Sequence, residues 1–343
     1  ANSSGTTTTN GMTYTVSISG GTATITMTNS SGISTTAADG LVDSITYENA
    51  SEDPTAGNRT VTLTQIQDSG DGDNTASLNI ASTISVAAVN DTPELTSTPL
   101  NPTFSEASGL GTQADAVSIF DGTSIDTIEA GQTVTGLTFT VSGLQDGANE
   151  TITVDGTEIT LGSNSTGTTT TNGMTYTVTI SGGTATVTLS NSSGIATADA
   201  NDLVDSITYQ NTNTDDPTSG NRTFTLTQVQ DSGGGANDTA SLAIASTVTV
   251  TPINDEPTLT TTALDPSFSE GDSAVSVFDN ASTDVIEAGQ TITSLTFTVS
   301  GITDGASETI NVDGSEITLG ANSSGTTTTN GMTYTVSIQA VRQ

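Results

Sequence analysis

The chain has 343 residues, with 38 Asp and Glu against 3 Arg, no Lys, and a formal net charge of -35. It contains no Cys, His or Trp, which excludes Ser-His-Asp and Cys-His triads, ordinary zinc, haem and iron–sulfur ligation, disulfide stapling and a Schiff-base Lys. Nucleic acid is not expected as a partner, because binding it requires clustered positive charge. No apolar run approaches the roughly 18 residues of a membrane helix, so no membrane insertion is expected, and any export signal lies outside this segment or has been removed.

Leu, Ile, Val and Phe make up about a fifth of the chain, a level at which a strongly charged sequence approaches disorder. Their placement argues otherwise. Tyr14, Val16 and Ile18 alternate with polar residues, Gly20-Gly21 follows, and Ala23, Ile25 and Met27 alternate again. A two-residue turn pairs Ile18 with Ala23, Val16 with Ile25 and Tyr14 with Met27, which puts all six on one face. Thr35–Tyr47 has the spacing of a helical turn before a strand, as does its counterpart Thr197–Tyr209, with Leu203, Val204 and Ile207. Strands are expected at Thr133–Ser142, Thr151–Val154, Glu158–Leu161, Thr223–Val229 and Ala240–Pro252 and at their counterparts, with tight turns at Asp155-Gly156 and Asp313-Gly314. Thr, with high strand propensity and a hydroxyl, covers the solvated faces. The pattern reads as an all-β sandwich with Greek-key-like connections.

The chain repeats with a period of about 160 residues. Residues 1–18 recur unchanged at 321–338, with a close copy at 163–180. Residues 127–162 match 285–320, PTFSEA at 102–107 matches PSFSEG at 266–271, and AVNDTPELT at 88–96 matches PINDEPTLT at 252–260. Pro93 and Pro257 mark linkers. They divide the chain into the later strands of a first repeat (1–94), a complete repeat (95–257) and the early strands of a further repeat (258–343). Gln339–Gln343 departs from Ser19–Ala23, so the second hairpin strand is missing at that end.

An apolar strand ending in V-N-D-x-P, as in AVNDTPEL and PINDEPTL, resembles the linker of cadherin-like tandem repeats in large bacterial surface proteins, including adhesins of the repeats-in-toxin type. The resemblance covers essentially the whole chain. It implies Ig/cadherin-like β-sandwiches, Ca²⁺ in the linkers, and an extracellular role as a stalk or adhesive fibre at the cell surface or in a biofilm matrix. Residue by residue, it implies as calcium ligands the linker pairs Asn90 and Asp91, and Asn254 and Asp255. It adds Glu106 and Glu270 of the F-S-E strands, and Asp68 and Asp231 after Gln-x-Gln. The fuller family linker is absent, since Thr92 and Glu256 stand where a further Asn is expected. A chain of acids without Lys offers hard oxygen ligands, which suits Ca²⁺ with its six to eight oxygens.

Glu129, Glu150, Asp155 and Glu158 recur as Glu287, Glu308, Asp313 and Glu316, and such duplication favours a structural role over the acid–base pair of a glycosidase; no enzyme is expected. Asp53 near Arg59, and Asp215 or Asp216 near Arg222, read as local ion pairs. A carbohydrate-binding module with surface glycans as partners is the alternative function, although aromatics are only 3% of the chain and such modules present aromatic platforms. The incomplete repeats at both ends fit two readings: self-assembly, with the last fragment of one chain completing the first fragment of the next, head to tail, or a segment cut from a much longer covalent array.

Overall fold

The computed structural model describes residues 2–338; the expected departure from the repeat at Gln339–Gln343 lies outside them. The protein is all-β, and divides into two compact units, Ala1–Glu256 and Pro257–Gln343.

The first segment contains β1 (Ser3–Thr6), β2 (Thr13–Ser19), β3 (Thr22–Thr28), α1 (Thr35–Asp43), β4 (Gly57–Gln67) and β5 (Thr75–Val86). β2 and β3 pair in the expected register, with Ile18 opposite Ala23, Val16 opposite Ile25 and Tyr14 opposite Met27. Gly20 and Gly21 both take positive φ, 55° and 78°, as a two-residue hairpin of this twist requires. β1–β2–β3 form one small sheet and β4–β5 another, and no described strand joins them.

The same unit continues into a complete sandwich. Its elements are β6 (Glu94–Pro99), β7 (Thr103–Ser105), β8 (Val117–Ser118), β9 (Phe120–Asp126), β10 (Val134–Ser142), β11 (Glu150–Val154), β12 (Thr157–Thr160), β13 (Ser165–Thr168), β14 (Thr175–Ser181), β15 (Thr184–Ile195), α2 (Thr197–Asp205), β16 (Thr208–Asn211), β17 (Gly220–Asp231) and β18 (Thr239–Thr251). One sheet runs β13-β14-β15-β10-β17-β18-β7, with β7 parallel to β18 and every other pair antiparallel. The second runs β12-β11-β16-β8, and β6 pairs with β9.

The core lies between these sheets. From the large sheet come Leu137, Phe139, Val141, Val187, Leu189, Phe224 and Leu226; from the small sheet come Ile152, Val154 and Tyr209. The Tyr209 ring meets Phe104 and Phe224 edge-on, with centroids 5.6 and 6.1 Å away, a geometry the ring quadrupoles favour. α2 lays Ala200, Leu203 and Val204 into the core. The φ of 49° at Asp155 and 76° at Gly156 set the β11–β12 hairpin, where Val154 faces Thr157. The Asp155 carboxylate then holds the turn against the chain ahead of β14. It accepts from the Thr169 hydroxyl, the Asn172 N–H at 3.0 Å and Asn172 Nδ2 at 2.7 Å.

The second unit contains β19 (Thr258–Ala263), β20 (Phe278–Asp284), β21 (Thr309–Val312), β22 (Ser315–Thr318), β23 (Ser323–Thr326) and β24 (Thr333–Val336), paired as three separate hairpins. Here the structure departs from expectation. Residues 291–300 repeat the β10 sequence almost verbatim, yet form no strand. β10 is held by β15 on one side and β17 on the other. Among the described residues of this unit no strand pairs with 291–300, and a strand pattern alone does not form a ladder.

Candidate functional site

The eight residues implied as calcium ligands fall into two groups at opposite ends of the sandwich, and two residues belong to neither. Asn90 and Asp91 dock onto two loops of the sandwich that follows them. The Asp91 N–H donates to Glu129 Oε1 at 2.6 Å, and Gln132 Nε2 donates to Asn90 Oδ1 at 2.6 Å. From the β17–β18 loop, Asn237 Nδ2 donates to the Asn90 carbonyl at 3.0 Å. Asp231 stands beside them, accepting from the Gly233 N–H at 2.8 Å. Two carboxylates thus meet at the linker, and Glu129 Oε2 and Asp231 Oδ2 are buried with no hydrogen-bond partner. Orphaned buried oxygens are costly and call for an explanation.

Burial pushes the Asp231 carboxyl above its ordinary value; the nearby Glu129 and Asp238 charges push the same way, while Gly233 and Asn90 oppose them. A carboxyl raised by folding contributes stability that is present at low pH and lost as pH rises through its folded-state value.

The other group lies where the sandwich ends. The Ile253 N–H donates to Glu106 Oε2 at 2.7 Å, and Gly109 donates to Asp255 Oδ1 at 3.0 Å. The Glu of F-S-E and the Asp of the following linker are thus both buried, each accepting a backbone N–H from the other's segment. Asn254 Nδ2 donates to the Asp255 carbonyl at 2.9 Å. Asp68 is exposed and turns back on its own hairpin, accepting from the Gly70 N–H at 2.8 Å. Glu270 is exposed on a turn.

Glu129 was legible only as one of several recurring carboxylates. Its placement comes from a tight turn in which the Glu129 N–H reaches the Thr127 carbonyl at 2.8 Å around Ile128, whose φ is 65°. A β-branched residue in this region is strained, and the strain recurs at Ile286, φ 67°, before Glu287. Strain held at a defined position marks a place where aiming a side chain matters. The recurring I-E-A-G-Q is its one trace in the sequence.

The ion-pair expectation is corrected for Asp53 and Asp215. Arg222 is fully buried and its guanidinium bonds Glu150 and Asp146, the latter at 3.2 Å. Asp215 instead accepts from the Gly111 N–H at 2.5 Å, and Asp53 from the Ala130 N–H at 3.0 Å. Glu150 also takes the Tyr209 hydroxyl at 3.0 Å. Burial first, and then Glu150, raise the Tyr209 hydroxyl well above its ordinary value. This cluster fastens the small sheet to the large one.

Among the described residues, no three acidic side chains gather into a metal-binding group. The linker at Asn90 offers two carboxylates plus amide and backbone oxygens. Their orphaned atoms suit a hard cation that completes its shell with water. No protein-family model matches the chain, and no curated protein or solved structure matches it.

Proposed function

We propose that the chain is a structural, extracellular repeat protein of the cadherin-like kind, forming a stiff stalk or filament at a bacterial surface or in its matrix. The observation that carries this reading is the linker. Asn90 and Asp91 do not swing free; side chains from two loops of the following sandwich hold them. A chain of sandwiches joined in this way resists bending.

The recurring carboxylates support a mechanical role. Glu150 is taken up by Arg222 and Tyr209, and Asp155 by Thr169 and Asn172, so neither is left to move protons. Phe104, Phe120, Phe139 and Phe224 are buried in the complete sandwich, where they make core and no sugar-stacking platform.

Ca²⁺ would be held at the first linker by Glu129 and Asp231, with Asn90 and Asp91 alongside, and would supply the positive charge that the orphaned oxygens lack. Extracellular modules bind Ca²⁺ at about 0.1–1 mM. At a hundredfold excess over Kd, the linkage adds about 2.7 kcal/mol, or roughly 5–10 °C for a domain of this size. Scanning calorimetry with calcium and then with excess chelator checks it; superimposable traces would remove the cation from the account. Asp231→Asn sharpens the test. In chelator at pH 7 the variant is expected to melt no lower than the parent, because a desolvated charge is gone. In calcium it is expected to lose most of the rise.

A further inference from the structure

The β17–β18 loop carries three successive glycines, and they serve different ends. Gly234 and Gly235 take positive φ, 72° and 96°, and a side chain placed there would meet nothing; they turn the chain. Gly233 has no positive φ, so its backbone would accept an ordinary residue. What is taken is its space. A Cβ built on Gly233 would fall on Asn90 Oδ1 and press Gln132 Nε2 at 2.6 Å. At Gly143 and Gly162 an added Cβ would strike the backbone of the sandwich itself, at Asn221 and Gly147. At Gly233 the nearest atoms belong instead to the linker side chain and to the amide that holds it.

We propose that Asp231-Ser232-Gly233 is a receptor for the linker asparagine, that Gly233 decides whether a linker is clamped, and that the receptor selects a carboxamide over a carboxylate. This rests on the clamped-linker reading and names the group that the clamp recognises. Each residue of the receptor has a task. The Asp231 carboxylate accepts from the Gly233 N–H at 2.8 Å and sets the bend of the loop. Ser232 Oγ accepts from the Thr133 N–H at 3.0 Å, which ties the loop to the turn carrying Glu129 and Gln132. Gly233 leaves the hollow between them.

Asn90 fills that hollow. Its Oδ1 takes Gln132 Nε2 at 2.6 Å, its Nδ2 donates to the Asp91 carbonyl at 3.1 Å, and its own carbonyl takes Asn237 Nδ2 at 3.0 Å. With side chain and main chain of Asn90 both fixed, the Asp91 N–H is aimed at Glu129 Oε1, 2.6 Å away. Size cannot separate Asn from Asp, which have the same shape. Charge and donors can. Glu129 and Asp231 are both buried beside the hollow, and a third carboxylate would be repelled by each. It would also lack the amide N–H that reaches the Asp91 carbonyl. In a chain with 38 Asp and Glu, a receptor that refuses carboxylates keeps the linker in one register among many acidic side chains.

The Asp91 N–H reports the clamp directly through hydrogen exchange of the full-length protein, followed by mass spectrometry in chelator. Gly233→Ala is expected to speed exchange over residues 88–93 by roughly 5- to 100-fold, the range that overfilling a packed site implies. Exchange over residues 137–141, in the core of the sandwich, is expected to stay as in the parent. Asn90→Asp is expected to release the linker in the same way without touching the sandwich. Asn90→Ala added to Gly233→Ala is expected to cost nothing more, since both remove one contact. Unchanged linker exchange in Gly233→Ala or in Asn90→Asp overturns the proposal. So does a Gly233→Ala protein whose core exchanges faster, or a double variant whose two effects add. A parent whose melting ignores calcium would remove the cation and leave the receptor standing; a calcium-responsive protein whose linker ignores Gly233→Ala would do the reverse.

Discussion

Replacing Arg222 by methionine is expected to destabilise the complete sandwich by about 3–5 kcal/mol, the cost of removing one partner of a buried ion pair. The side chain is fully buried against Glu150, which is itself fully buried. Methionine keeps most of the volume and removes the charge. Glu150 would retain the Tyr209 hydroxyl and the Gln145 N–H at 2.9 Å, both of which solvate a carboxylate without neutralising it. Chemical denaturation followed by circular dichroism measures the loss. Arg222→Met with Glu150→Gln is expected to recover a large part of it, because the uncompensated charge is what costs most. Arg59→Met is the internal control. On an unassembled chain it removes one exposed hydrogen bond and is expected to change stability by less than about 0.5 kcal/mol. Equal losses at both positions would refute the distinction between a sealed and an open cluster.

Phe139→Ala is expected to cost a similar amount, about 3–5 kcal/mol, or roughly 6–20 °C in melting temperature for a domain of this size. Phe139 is fully buried in the central strand of the large sheet, between Val187 and Leu226. Truncating it leaves a void in the middle of the core, where neighbours on both flanking strands are fixed by the ladder and relax least. The same change at Phe297, in nearly the same local sequence, is expected to leave the melting of a monomeric chain untouched, since that ring is about half exposed. Calorimetry on the two variants separates the contribution of sequence from that of neighbours. A large loss at Phe297 in a demonstrably monomeric sample would mean that residues 291–300 already have a packed partner.

These contrasts also show what the sequence reveals and what it conceals. The hairpin at Gly20-Gly21 was legible to the register because turn length and alternation each fix it, and they agree. The helix after β15 was legible because Leu203 and Val204 break the period of two. The order of strands in the sheet was not: alternation says which face a residue takes and nothing about which strand lies alongside. Arg222 shows the same limit. Proximity in sequence pointed to Asp215 or Asp216, while the fold supplies Glu150, 72 positions away. At the linker, Asn90, Asp91 and Asp231 were read from motif and do converge. Glu129 escaped because its aim depends on a backbone strain at Ile128 that no side-chain pattern announces. Asp68 matches Asp231 in motif and still stays apart, exposed and accepting from the Gly70 N–H of its own hairpin.

The central position of β10 has a consequence for how such a chain is made. Its neighbour β17 lies far along the sequence, so that Thr227 bonds the Thr138 carbonyl across 89 positions. During synthesis, β10 must wait for roughly half a repeat before its second wall exists. Large loop closures of this kind slow folding and leave aggregation-prone edges exposed. In an array of near-identical repeats, the waiting strand could be captured by the wall of its neighbour. The copies differ at Ser294 against Gly136 in the strand, and at Val61 against Phe224 in the wall, so a captured strand would meet neighbours of a different size.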